Sequence, residues 1–218
     1  MSQDSRINMM YFYDALCGWC YGFSPVMQEF AMKHQEEIKL EVFSGGMISG
    51  SRIGPIGQVA GYIKQAYKTV EDRTGVMFGE GFLEGILEPG DAIFTSIPAA
   101  KAMLIFKKLL PARQLEYAGR LQQAVYFDGI QPDDKEAYVK AAAEFGVDEE
   151  EFSRLYDEPE TAQGMLKEFE FVGELGINGF PSIVAEAKGK LYLLAHGYLP
   201  LEELEKNFES LKAKASEA

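Results

Sequence analysis

Cysteine, histidine and tryptophan are scarce in this chain of 218 residues: two, two and one. With no third cysteine, and with His34 and His196 far apart in sequence, a zinc site lacks its second pair of ligands. Basic residues are in deficit, 21 Lys and Arg against 34 Asp and Glu, for a formal charge of −13. That sign argues against nucleic acid or an anionic membrane as a partner. No apolar run approaches the roughly 18 residues of a membrane-spanning helix. Residues 1–8 are polar and lack the basic-then-apolar pattern of a secretory signal, so the expected location is cytoplasmic. There a cysteine pair is redox-active or metal-binding more often than a structural staple. The glycine-rich stretch 44–54 carries Ser51-Arg52 where a phosphate-binding loop needs Lys then Ser or Thr, and Gly-x-Gly-x-x-Gly is absent. It reads as a flexible exit from a sheet. No repeat at a fixed period occurs.

What is present is concentrated in one stretch. Both cysteines, Cys17 and Cys20, lie three positions apart in Cys17-Gly18-Trp19-Cys20. An apolar, aromatic strand pattern (7–13) precedes them. Phe23, Val26, Met27, Phe30 and Ala31 follow at helical spacing. Cysteines so spaced at a helix start share one face and can bridge. The first sulfur sits beside the free N–H groups and positive dipole end of the first turn, which favour a thiolate, so Cys17 is the expected nucleophile. Cys20, one turn deeper, is the expected resolving thiol. An inert buried pair and a metal pair are the alternatives.

Along the chain, the cysteine helix runs to about His34, which reads as a surface residue at a helix C-terminus. Residues 38–43 alternate as a second strand, giving a strand–helix–strand unit with a parallel pair. Residues 55–176 then turn helical. Helices are expected over 59–74, from Ser96-Ile97-Pro98, from Pro111 with Leu115, Ala118, Leu121 and Val125 inward, and from Asp133 and Asp148. Each of these aspartates has a Glu three residues on (Glu136, Glu151), a capping-box-type start. Pro159 heads a last helix with Ala162, Met165, Leu166, Phe169 and Val172 inward. Residues 77–87 have no clear assignment. Gly176 to Glu186 reads as a turn running into a strand, Lys188-Gly189-Lys190 as a hairpin turn, and 191–196 as its partner. His196 is an edge or packed residue with a catalytic role as the alternative. Pro200 begins a terminal helix with Leu201, Leu204, Phe208 and Leu211 inward.

This order, with Phe12-Tyr13-Asp14 leading into Cys17-Gly18-Trp19-Cys20 and with Gly176-Ile177-Asn178-Gly179-Phe180-Pro181-Ser182, resembles the thioredoxin superfamily. Within it the chain resembles the DsbA group, and there the signal-less branch of FrnE-like proteins and predicted cytosolic protein-disulfide isomerases. The resemblance implies an α/β thioredoxin-like fold with a large all-helical insertion. Residues 1–54 and 176–218 would form the thioredoxin-like domain and 55–175 the insertion. It also implies that Pro181 is a cis-proline opposite the dithiol, with the Phe180 backbone placed to pair with an extended substrate. Trp19 and Phe180 would form an apolar lip.

Three departures stand out. DsbA proteins carry Cys-Pro-His-Cys, and the histidine is missing here. The proline that thioredoxins place before the second cysteine is also missing. Many relatives have a residue smaller than Phe180 before the cis-proline. The acidic residue under the thioredoxin dithiol has no match either: Tyr11 and Tyr13 occupy the strand, and Asp14 is the available carboxylate or a turn-forming cap. The implied function is thiol-disulfide exchange on protein or small-thiol disulfides, with glutathione or a thioredoxin-type system as electron donor and no metal or organic cofactor. The competing classes are a glutathione-dependent isomerase or transferase of the hydroxychromene carboxylate isomerase or kappa type, which typically uses serine where Cys17 stands, and a binding module with a vestigial dithiol.

Overall fold

The computed structural model describes residues 6–217; most of the polar segment 1–8 and residue 218 of the expected thioredoxin-like domain lie outside it. Four strands form the main sheet: β1 (Ile7–Tyr13), β2 (Ile38–Ser44), β3 (Ser182–Ala187) and β4 (Lys190–His196), in the order β2-β1-β3-β4. β1 and β2 run parallel, joined by α1 (Gly18–Lys33), while β3 and β4 are antiparallel to their neighbours. Six helices of eight residues or more fill the space between β2 and β3: α2 (Ala60–Thr74), α3 (Ile97–Leu109), α4 (Gln114–Gln123), α5 (Lys135–Ala143), α6 (Glu149–Tyr156) and α7 (Pro159–Glu174). The chain closes with α8 (Leu201–Glu217). The only strand pairing within that helical stretch, among the described residues, joins Gly54–Pro55 to Ile93–Phe94. The fold is thioredoxin-like with a helical insertion.

Alternation along β1 explains the layering, because successive side chains point to opposite faces. Met9, Tyr11 and Tyr13 face α1 and α8 and join Phe23, Met27, Phe30 and Phe208 in the main core. Phe12 faces the other way, into a small cluster with Val172 of α7 and Val184. The main core also takes Phe106, Tyr117, Tyr138 and Phe152 from α3 to α6, so the insertion shares its apolar interior with the sheet. A second cluster holds Leu16, Ile56, Val70, Phe78, Phe82 and Tyr126. Trp19 and Met47 pack against both.

An exposed edge strand leaves N–H and C=O groups unpaired, and this fold covers the edge of β2 with side chains. The Gln114 amide accepts from Val42 N (2.9 Å) and donates to Leu40 O (3.1 Å), as a neighbouring strand would. Glu168 accepts from Ser44 N (2.7 Å), and Lys107 donates to Val42 O (2.8 Å).

Several local expectations change. Asp134, not Asp133, caps α5, accepting from Glu136 N and Ala137 N, whereas Asp148 caps α6 as its spacing indicates. Leu166 points to solvent, because the buried face of α7 passes through Thr161, Met165 and Val172. Lys188 and Gly189 alone make the hairpin turn, both with positive φ, and Lys190 already pairs with Ala187. The glycine-rich exit from β2 is packed: a Cβ on Gly45 would lie 2.0 Å from the Phe180 ring, and one on Gly46 2.7 Å from Phe169. Residues 77–87 are a short helix, Glu80–Phe82, that widens into π-type turns over Leu83–Leu87. Gly79 and Gly81 let this segment cross 127–129 at backbone contact; a Cβ on Gly79 would stand 2.1 Å from the Phe127 carbonyl oxygen.

The surface reading of His34 is overturned. Its ring is 5% exposed and sits between Phe30 and Phe208, with centroids 4.6 and 4.9 Å away. Nδ1 meets Glu37 (2.6 Å) and Nε2 meets Glu205 of α8 (2.8 Å). Carboxylates only accept, so both ring nitrogens donate for both bonds to form. Glu37 is held below the usual carboxylate range by its bonds from Lys212 and His34. Burial raises Glu205, but its bonds from Lys33 and His34 bring it below that range too. Depressed carboxylates stabilise the fold above their unfolded pKa and lose that contribution as pH falls through the folded value. His34→Ala is expected to cost about 1–3 kcal/mol. That loss should be read as a lower denaturation midpoint at neutral pH, narrowing as the two glutamates protonate. A variant as stable as the parent at pH 7 would show that α8 does not depend on this bridge.

Candidate functional site

The junction between β1 and α1 is built around Asp14, 1% exposed. Its Oδ1 accepts from Leu16 N (2.9 Å) and from Ser96 Oγ (2.8 Å) at the start of α3. Oδ2 accepts from Met47 N (2.7 Å) in the glycine-rich loop. Its carbonyl accepts from Cys17 N (3.1 Å). Burial holds the Asp14 carboxyl above the usual carboxylate range, although the bonds to its two oxygens and the Arg52 charge offset part of the rise. Asp14 thus acts on the thiols through the backbone it fixes.

Cys17 is the residue that starts α1: its backbone is extended (φ −96°, ψ 109°) and its Sγ accepts from Cys20 N at 3.4 Å. The same sulfur donates to Phe180 O at 3.5 Å, 163 residues away. Cys17 is 6% exposed and Cys20 fully enclosed. Both are free thiols. Burial pushes the Cys20 thiol well up, reinforced by its hydrogen bond to Cys17 and that residue's charge. The Phe180–Pro181 peptide is cis, and Pro181 O accepts from Gly197 N (2.7 Å). Cys17, Cys20, Asp14 and the Phe180 backbone therefore meet at one place. The Phe180 ring turns away onto Gly45, and the groove wall beside the thiols carries Trp19 alone of the two aromatics. His196 stands exposed on the edge strand β4, its Nδ1 3.2 Å from Ser182 Oγ and its ring against Gly179.

Beside Cys17 opens an apolar groove of about 260 Å³. Cys17, Gly18 and Trp19 line one side; Tyr62, Val70, Phe78 and Tyr126 from the insertion line the other. Two buried tyrosines flank the thiols. Tyr126 and Tyr11 are both pushed well up by burial, with the cysteines' charges adding to the effect. The Tyr11 hydroxyl finds no hydrogen-bond partner among the described residues. Sequence reading placed Tyr11 in the strand below the dithiol but missed Tyr126, Tyr62 and Ser96, which come from distant helices with no motif of their own. Among the described residues, no three His, Cys, Asp or Glu side chains converge as metal ligands. No helix among them is long and apolar enough to cross a membrane.

Asp14→Ala leaves three donors without an acceptor, whereas Asp14→Asn keeps one acceptor oxygen and two of the three bonds. The expected losses are about 3 kcal/mol or more and about 1 kcal/mol respectively, at about 1–3 kcal/mol per orphaned buried donor. Urea denaturation of the two variants measures this order; equal midpoints for both would show that the carboxylate does not hold the junction.

The family described as "DSBA-like thioredoxin domain" matches residues 9–209. A candidate protein disulfide isomerase from Nitrosomonas europaea superposes with a TM-score of 0.86 at 23% identity, covering 96% of this chain and 98% of its own. The cytosolic disulfide reductase DsbM from Pseudomonas aeruginosa gives 0.78 at 26% identity, covering 97% and 100%. The same reductase solved with GSH gives 0.76 at 25% identity, covering 94% and 99%. No curated protein sequence matches the chain.

Proposed function

The chain belongs to the DSBA-like thioredoxin domain family, and from that premise we propose that it is a thiol-disulfide oxidoreductase working through Cys17 and Cys20. The observation that carries the reading is the placing of the Cys17 sulfur. It stands at the start of α1, bonded to Cys20 N–H and Phe180 O, at the end of an apolar groove. In the reductive direction the Cys17 thiolate attacks one sulfur of a client disulfide. A Cys17–client disulfide forms, the client S–S bond breaks, and the departing thiolate takes a proton. Cys20 then loses its proton and attacks Cys17 Sγ, closing the Cys17–Cys20 disulfide and releasing the second client thiol. Two electrons pass from the protein dithiol to the client; the reverse sequence oxidises clients. Neither direction calls for a metal or organic cofactor.

Phe180 O accepts from the Cys17 thiol in the reduced protein. Once that hydrogen is gone, the carbonyl is free to accept a client backbone N–H, as in strand addition. We assign Pro181 and Asp14 to positioning and Trp19 to the groove wall. The division into 1–54 with 176–218 and 55–175 follows function in this proposal: the first part carries the thiols and the second supplies the facing wall. The neighbour solved with GSH supports a small thiol as donor or substrate, and the cytosolic neighbour supports a cytoplasmic setting.

Cys20→Ser is expected to accumulate clients as mixed disulfides on non-reducing gels, and Cys17→Ser to accumulate none. Wild type should reduce insulin with dithiothreitol or glutathione and leave chlorodinitrobenzene unconjugated. Conjugation without insulin reduction would move the chain to the glutathione-transferase class. Because burial keeps Cys20 protonated, its thiolate fraction rises about tenfold per pH unit below its raised pKa. Resolution of a purified Cys17 mixed disulfide should therefore speed up steeply from pH 6 to 9 in stopped-flow. A flat profile would contradict Cys20 as the resolving thiol.

A further inference from the structure

Arg73 lies in the last turn of α2, with its guanidinium 5.5 Å from the centre of the Trp19 ring and 6.0 Å from that of Tyr198. The two rings are themselves 6.2 Å apart, and Tyr198 leans edge-on against Phe23 of α1. A guanidinium within about 6 Å of an aromatic face is attracted by the ring quadrupole, so Arg73 is held over both rings. Trp19 stands between the two cysteines in sequence and lines the groove together with Cys17. Arg73 therefore leans on an aromatic ring that also lines the thiol groove.

The charge is unusual in its surroundings. The protein is strongly acidic, at −13. Arg113, Arg120 and Arg154 each engage a carboxylate. Among the described residues no carboxylate pairs with Arg73, which is exposed. A guanidinium attracted to aromatic faces keeps N–H groups available for a carboxylate, which it can bind bidentately. A field this negative repels anions except where a cation is left unpaired, and one such cation leans on Trp19, two residues from Cys17.

We propose that Arg73 is the specificity-determining residue for a carboxylate-bearing thiol or disulfide, binding its carboxylate at the rim while its sulfur reaches Cys17. This rests on the dithiol-exchange reading and narrows its substrate class to small anionic thiol peptides and peptide chains with an acidic group near the cysteine. The groove takes the apolar part of the substrate and Arg73 the charge. The exchange balances as before: the substrate S–S bond breaks, Cys17 and Cys20 are oxidised to a disulfide, and two substrate thiols are released.

The test is single-turnover oxidation of reduced full-length protein by three disulfides. Glutathione disulfide is anionic, hydroxyethyl disulfide neutral and cystamine cationic. Trp19, the one tryptophan, reports the reaction by fluorescence, and the mass of alkylated samples confirms it. In Arg73→Gln the rate ratio of glutathione disulfide to hydroxyethyl disulfide is expected to fall about tenfold, the scale of one charged hydrogen-bonded contact. Cystamine should gain relative to both. Arg73→Lys should recover part of the ratio, and the wild-type preference should shrink as salt rises. An unchanged ratio overturns the proposal, whether both rates hold or both fall together as a purely structural role would make them. If no disulfide oxidises wild-type protein at all, the dithiol-exchange reading fails and takes this inference with it.

Discussion

The carboxylate of Asp14 receives hydrogen bonds from the β1–α1 turn, from the loop after β2 and from the first residue before α3. The same segments also meet through Ile48, which exchanges hydrogen bonds with Ser96, and through Gly45 N, which donates to Tyr13 O. A buried carboxylate with three donors has little freedom, since releasing any one of them orphans a group that water cannot reach. The start of α1 is thereby fixed against the sheet, and with it the Cys17 sulfur and its distance to the Phe180 carbonyl. Asp14 thus sets the position of a sulfur that it does not itself touch.

Burial supplies the second constraint. Trp19 and Met47 pack against both apolar clusters, and the thiols lie at that seam. Enclosure pushes Cys20 toward its protonated form while Cys17 faces the groove. Two cysteines of identical chemistry are thus given unequal surroundings by one turn of helix. The seam also explains why the insertion matters: Tyr62, Val70, Phe78 and Tyr126, which line the groove opposite Cys17, all come from it.

The fold was legible where local pattern and tertiary packing agree. The apolar run of β1, the helical spacing after Cys20 and the Asp148 cap all announce themselves within a few residues. His34 misled because a helix C-terminus favours an exposed cation locally, while its partner Glu205 is 171 residues away. The loop at Gly45 and Gly46 read as flexible because glycine suggests freedom; here its lack of a side chain makes room for the Phe180 and Phe169 rings. The spacing of Cys17 and Cys20 announced their place at the start of α1. Arg73 was not legible, because its meaning depends on Trp19 and Tyr198, which reach it from two other elements.

The crossing of Gly79 and Gly81 over residues 127–129 brings two backbones together with no side chain between them. Packing of this kind differs from a core, where a lost methyl group at one position can be offset by a larger neighbour. A methyl group added to Gly79 meets a carbonyl oxygen, and no substitution of a nearby side chain moves a main-chain atom out of its way. A side chain at Gly79 or Gly81 can therefore be accommodated only by moving the backbone of one of the two segments. The groove wall beside the dithiol inherits that rigidity, since Phe78 and Tyr126 are the immediate chain neighbours of the two segments that touch.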